Sequence, residues 1–388
     1  MRSGALILLS LVTCVCPPWG GAQSSGDVNG NGIIDQPDVE MLRDHLLQSI
    51  ALSASQALRA DCNGQSGIGV GDLVWIVNHL GTAPGPDMIA VPAGSFSMGD
   101  PWGEGYAEEL PVHTVTLSAY EIGRFEVTNA EYAAFLNSAD VTVVGSSVYL
   151  SDNSTNELIS VDTVYDHSQI IHSGGSFSVN VRDNLSMGDH PVVLVTWHGA
   201  AAFCNWLSRQ RGYQEVYTES GDWPSDLSQG GYHLPTEAQW ERAAAWEPEH
   251  GHWRYGYTDD SIDPTRANYS LGLNTHVNPL NLTDTPYTSP VGHFSGASGT
   301  VESSSDIGCF DMSGNVWEWC NDWYSETYYG SSPTTDPEGP SPSFQLIYRV
   351  IRGGSWAGYL DECRSARRVW GEPQSRSEAG GFRIARNP

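Results

Sequence analysis

The residues with the clearest chemistry are oxygen donors at regular spacing. Asp27, Asn29, Asn31, Asp35 and Asp38 hold positions 1, 3, 5, 9 and 12 of a twelve-residue loop. Gly32 at position 6 permits a sharp turn, and the Ile33 carbonyl falls at position 7. An oxygen-ligated Ca²⁺ needs this spacing. Asp61, Asn63, Gln65 and Asp72 repeat positions 1, 3, 5 and 12, but Ser66 stands at position 6 and Gly69 at position 9, so the second copy is degraded. A third group lies far downstream. Asp311 and Glu318 are seven residues apart across a Gly-Asn turn, and with the carbonyls of Gly314 and Val316 they can wrap a hard cation. Cys363 offers a soft donor. His250 and His252 flank Gly251, but no third metal ligand is evident. All 18 basic residues are arginine, which excludes Schiff-base chemistry, a lysine base and a phosphate-loop lysine. The net charge of -28 argues against a nucleic-acid ligand and suits hard cations.

These donors need elements to hold them. Val39, Leu42 and Leu46 after the first loop, and Leu73, Ile76, Val77 and Leu80 after the second, each make one helical face. The two loop-helix units form an internal repeat over 26–81, followed by a stiff linker at 82–87. Before them, Met1-Arg2, the apolar run Ala5–Val12 and small residues up to Ala22 read as a signal peptide over 1–22. A lipoprotein reading through Cys14 is weaker, because Thr13 is larger than the usual small residue. No later stretch of about 20 apolar residues exists, so the expected mature chain has no membrane span and is secreted or extracytoplasmic. Cleavage would leave Cys62, Cys204, Cys309, Cys320 and Cys363. From 88 to 388, Met88–Met98 and Val112–Leu117 read as strands. Thr128/Glu131 and Thr236/Gln239 are capping boxes that start helices, and a third helix is expected over about 199–207. Residues 140–190 read as an extended insertion, and the rest as short strands and long loops, which makes the class α+β.

Two resemblances follow from these residues. The repeat at 26–81 resembles a type I dockerin, a small all-α module of EF-hand type, which implies Ca²⁺ and a cohesin-like partner. Seven motifs then occur in order: Met88–Gly99, Glu126-Val-Thr-Asn129, Val195-Thr-Trp-His198, Leu234–Glu241, Asp311–Trp319, Arg352-Gly-Gly-Ser-Trp356 and Gly381-Phe-Arg383. Together they resemble the formylglycine-generating enzyme, or sulfatase-modifying factor, family over about 88–388. The resemblance implies a loop-rich, C-type-lectin-like fold. It implies an oxidase that converts a substrate cysteine to formylglycine with Cu(I) held by two cysteines five apart. The second of those positions is Cys363, but the first is Gly358. Ser355 and Trp317 match other active-site positions, whereas Glu362 replaces a tyrosine and Ala379 an asparagine. One thiolate does not make a two-coordinate sulfur site. Cys309 or Cys320 stands as a candidate for the missing thiolate, or the two as a pair with each other; Cys204 reads as core. The resemblance also assigns Asp311, Gly314, Val316 and Glu318 to one structural Ca²⁺ site, and Asn268, the Tyr269 carbonyl and Asp284 to a second. Two functions are expected in competition. One is a non-oxidase scaffold binding a protein or glycan through a Trp/Tyr-rich surface. The other is a copper-dependent oxidase acting on a Cys-x-Pro-x-Arg peptide.

Overall fold

The computed structural model describes residues 86–388 except 274, 298 and 343–345, together with 39, 41 and 42. The expected signal peptide, both Ca²⁺ loops of the repeat and most of the linker lie outside the described residues. In the strand expected at Met88–Met98, alternation buries Ile89 and Val91 in β1 (Met88–Val91), and Phe96 and Met98 in β2 (Gly94–Met98). β2 pairs with β3 (His113–Leu117), and β1 pairs antiparallel with β4 (Tyr120–Gly123).

Both capping boxes form. α1 (Asn129–Ser138) starts where the Thr128 side chain accepts from Glu131 N and Glu131 Oε2 accepts from Thr128 N at 2.8 Å. Such a box satisfies two end-of-helix donors that would otherwise lack intrahelical partners. The stretch expected as an extended insertion is a set of short antiparallel strands. A meander of β5 (Val141–Val144), β6 (Ser147–Leu150) and β7 (Asn153–Ser160) is followed by hairpins β8 (Ile170–Ser173)/β9 (Ser176–Val179) and β10 (Val181–Arg182)/β11 (Leu185–Ser186). Val148, Leu150, Leu158, Ile159, Ile170 and Phe177 carry this region into the main core. The third helix, α2 (Trp197–Arg211), is longer than expected. Thr196 caps it two residues earlier, and its polar last turn carries Arg209 and Arg211 up to Gly212, whose φ of 74° ends it.

Next come β12 (Tyr232–His233), α3 (Glu237–Ala245), and the hairpins β13 (Trp246–Glu247)/β14 (Gly251–His252) and β15 (Ser270–Gly272)/β16 (Thr275–His276). The last strands are β17 (Trp317–Trp323), β18 (Arg349–Arg352), β19 (Val369–Gly371), β20 (Gly380–Gly381) and β21 (Ala385–Arg386). Two four-stranded sheets result, ordered β1-β4-β21-β12 and β19-β18-β17-β20. In the second, β17 runs antiparallel to β18 and parallel to β20, which brings Trp317 beside Gly380 and Glu318 beside Arg352 and Gly381. This sheet and the loops entering it position the candidate site.

Candidate functional site

The turn that feeds β17 is built on left-handed residues: Asp311 at φ 59°, Gly314 at 87° and Asn315 at 64°. Gly314 is required twice over, because a Cβ there would also lie 2.3 Å from the Asn268 carbonyl oxygen. Asn315 is the hub. Its N–H donates to Asn268 O and its carbonyl accepts from Trp356 N, both at 2.8 Å. Its Oδ1 accepts from Ser289 N at 2.9 Å, and its Nδ2 donates to Glu126 Oε2 at 2.8 Å. Glu126 opens the Glu126–Asn129 motif. Its only sequence signal is a carboxylate between Phe125 and Val127.

Three buried carboxylates lie close enough here to feel one another's charge. Both oxygens of Glu318 bind Arg383, at 2.6 and 2.7 Å, and Trp240 Nε1 donates to it at 2.8 Å. Asp311 Oδ2 accepts from Gly292 N at 2.6 Å. Burial, with Glu318 beside it, raises Asp311 to about 6 against the pull of the Gly292 N–H and Arg383. Burial and the Asp311 and Glu318 charges push Glu126 well above the carboxylate range. Of the second expected cation group, Asn268 is buried and donates to Tyr287 O at 2.7 Å, while its Oδ1 has no hydrogen-bond partner. Asp284 is exposed instead, facing His167 Nδ1 at 3.7 Å. Among the described residues, no three His, Cys, Asp or Glu side chains converge where a metal ion could sit.

Cys363 lies with Tyr255, Tyr257, Ala267 and Tyr269 in a small apolar cluster of its own. Burial raises its thiol far above the usual range, and Glu362 and Asp361 add to that. It is a protonated thiol at neutral pH. Ser355 is buried, and its Oγ accepts from Ala357 N at 3.3 Å. Trp317 lines a groove of about 490 Å³ together with Trp319, Ile351, Trp370, Glu372 and Arg376. Cys309 and Cys320 do not pair. Both are free, buried thiols in the β2–α3 core, and Cys204 is free in the α1–α2 core. A second thiolate for Cys363 from Cys309 or Cys320 is therefore not provided: the sulfurs are distributed over three separate apolar clusters. His250 and His252 also part company. His250 stacks on Trp253 with ring centres 3.5 Å apart, while His252 Nε2 meets Glu241 at 3.2 Å.

Residues 77–388 match the sulfatase-modifying factor enzyme 1-like domain. The chain belongs to this family. The formylglycine-generating enzyme of Streptomyces coelicolor is 33% identical over 323 residues, covering 76% of this chain and 88% of that protein. The serine/threonine-protein kinase Pkn1 of Chlamydia trachomatis is 32% identical, but the match spans only 38% of its length. Treponema denticola variable protein 1 superposes with a TM-score of 0.52 at 25% identity, covering 78% of this chain and 95% of that one. Residues 25–81 match the dockerin type I domain, and dockerin domains bind cohesins. Among the described residues, no helix is long and apolar enough to cross a membrane.

The family's two kinds of metal fare differently against these residues. A hard cation suits the donors around the Asp311–Glu318 turn. They are carboxylates, amides and backbone carbonyls, and the orphaned Asn268 Oδ1 is an acceptor without a donor. Asp311 and the Gly314 and Val316 carbonyls are the groups of the first expected site that would hold it, while Glu318 is already engaged by Arg383. Copper does not suit the residues present. A soft monovalent ion needs paired thiolates, and Cys363 stands among tyrosines with Gly358 at the partner position.

Proposed function

We propose that this chain is a secreted binding or scaffold member of the sulfatase-modifying factor family, without the oxidase chemistry, tethered through its dockerin-like module to a cohesin-bearing partner. One observation carries the reading: among the described residues Cys363 is a buried thiol in a tyrosine cluster without a second sulfur beside it, and Gly358 stands where the resemblance expects one. The loss of a donor atom cannot be offset by small shifts, because a carboxylate or hydroxyl is a poor substitute for sulfur toward a soft d¹⁰ ion. The groove beside Trp317 brings aromatic side chains, Trp319, Tyr348 and Trp370, together with the polar Glu372 and Arg376, which suit a protein or glycan ligand.

The decisive experiment incubates the purified export form with copper, O₂ and a Cys-x-Pro-x-Arg peptide. No aldehyde is expected by mass spectrometry. Aldehyde that forms with the wild type and disappears in Cys363→Ala overturns the proposal and restores the copper-dependent oxidase. Calcium is a separate expectation. If it binds the folded state at the Asp311 turn and the Asp27 loop, EDTA lowers the melting midpoint and added Ca²⁺ restores it. An unchanged midpoint would remove calcium from the account.

A further inference from the structure

Alternation along β17 sends Glu318 and Cys320 toward α3, where Glu318 accepts from Trp240 Nε1 at 2.8 Å and Cys320 joins the β2–α3 core. Trp317 and Trp319 therefore lie on the opposite face. Cross-strand pairing then sets Trp319, Ile351 and Val369 in one row over β17, β18 and β19. Gly371 keeps this row open: a Cβ there would lie 2.8 Å from Trp319 Cη2 and 2.9 Å from Ile351 Cδ1. Trp317 is half-buried, and Trp370 is 49% exposed with its ring packed on Tyr348, centres 4.0 Å apart. All of these residues line the groove of about 490 Å³. The charged side chains of the groove come from the loop after β19. Glu372 is exposed. Arg376 is already neutralised, since it pairs with Asp166 at 2.9 Å and reaches Glu157 at 3.5 Å.

We propose that this groove binds a neutral carbohydrate chain, with Trp317 and Trp370 stacking on sugar rings and Glu372 accepting from their hydroxyls. The inference rests on the binding-protein reading above and names its ligand class. A pyranose ring has a face of C–H bonds and a rim of hydroxyls, so it needs an aromatic surface with polar side chains beside it. A groove of this volume, lined by aromatics and a few polar groups, has the form of a small-ligand site. Charge then decides among ligands. The one arginine of the groove is shared between Asp166 and Glu157, and Glu372 adds a further carboxylate, so one positive charge stands against three negative ones. A phosphorylated, sulfated or uronic ligand would meet like charge there. A peptide would need backbone partners, but β17 and β18 are inner strands whose backbone groups serve the sheet ladder. The polar contacts left to a ligand are those of side chains, which suits hydroxyls.

The test is isothermal titration of the full chain with neutral hexasaccharides of β-1,4-linked glucose, xylose and mannose and of α-1,4-linked glucose. A sulfated, heparin-derived hexasaccharide and a Cys-x-Pro-x-Arg peptide run beside them. At least one neutral sugar should bind one per chain and change the tryptophan fluorescence. Trp370→Ala and Trp317→Ala should each weaken it about tenfold, as expected for losing roughly 50 Å² of apolar contact. Glu372→Ala should weaken it several-fold. Trp102→Ala removes a tryptophan that is 44% exposed and does not line the groove, and should leave the affinity unchanged. Cooperative melting confirms that each variant folds, and the exposed positions 370 and 372 keep the test decisive should Trp317→Ala misfold. No binding of any neutral sugar at millimolar concentration overturns the inference. Tighter binding of the sulfated sugar or of the peptide overturns it too, as does an affinity that neither folded tryptophan variant of the groove moves. Failure here leaves the non-oxidase reading standing, whereas aldehyde formed on the peptide with copper and O₂ overturns that reading whatever the sugars do.

Discussion

Arg352→Met is expected to cost the domain roughly 3–5 kcal/mol, the usual result of stripping the partner from a buried charge. Arg352 has no exposed side-chain surface. Its Nη1 binds Glu237 Oε1 at 2.7 Å, and its Nη2 binds Glu241 Oε2 at 2.5 Å and the Ser365 carbonyl at 2.6 Å. Glu237 keeps a second guanidinium, Arg368, through bonds of 2.6 and 2.8 Å. Glu241 has no such reserve. It would be left with the Gly99 N–H at 2.7 Å, His252 at 3.2 Å and a long contact to the Tyr329 hydroxyl. Burial alone would raise the Glu241 carboxyl, but Arg352, His252 and the Gly99 N–H together hold it down to about 2. The variant therefore exposes a desolvation cost that is now masked. Urea unfolding at neutral pH measures it, and Glu241→Gln in the Arg352→Met background should recover part of the loss by removing the orphaned charge. A single variant within about 1 kcal/mol of wild type would show that the network contributes specificity rather than stability.

That network marks where sequence reading stops. The helices were legible because their signals are local: Thr128 and Glu131, or Thr236 and Gln239, are three residues apart, and the box chemistry is the same in any fold. β1, β2 and β3 were legible as strand from alternation, but β1 and β2 were expected as one strand, whereas the chain breaks at Pro92-Ala93 and pairs each half with a different partner. The α2 end at Arg211 was not, because Ser208–Arg211 leaves the apolar stripe before the helix stops. The meander at 141–160 was not, because its edges face solvent and alternate weakly, as Val144 and Thr155 do. In the candidate site, the turn residues Asp311, Gly314 and Asn315 could be found by spacing. Their partners could not. Glu126 and Asn315 are 189 residues apart, Glu318 and Arg383 are 65 apart, and no period connects them. Spacing alone put Glu318 among the expected cation donors, whereas the fold gives both its oxygens to Arg383. The identity of position 358 was plain in the sequence; that Glu362 fills the space beside it was not, since only the folded turn brings the two together.

Asp322→Asn should stabilise the protein at pH 8 and cost it about 1–3 kcal/mol near pH 4. Asp322 is buried, and its Oδ2 accepts from Glu237 N at the start of α3 at 2.8 Å. Gly339 packs against it, with a left-handed φ of 84° and room for no Cβ. No arginine touches the carboxylate directly among its described hydrogen bonds. Burial, followed by the Glu237 charge, raises it to about 8, against the weaker opposing pulls of the Glu237 N–H, Arg368 and Arg349. The folded state thus holds a proton that the unfolded chain releases near its ordinary value of about 3.9. Stability from this group is fully present below that value and is lost as pH climbs toward 8, by about 1.4 kcal/mol per unit and up to roughly 5 kcal/mol in all. Asparagine keeps an acceptor for Glu237 N and never ionises, so its stability does not carry this slope. Its amide needs a new acceptor, which costs about 1–3 kcal/mol and applies at every pH. The difference between variant and wild type should therefore move in favour of asparagine by several kcal/mol as pH rises through this window. Other titrating groups, Asp311 and Glu126 among them, are common to both proteins and cancel in that difference. Unfolding free energies at pH 4, 6 and 8 for the two proteins measure it directly, and parallel pH profiles would mean that Asp322 is ionised in the fold after all.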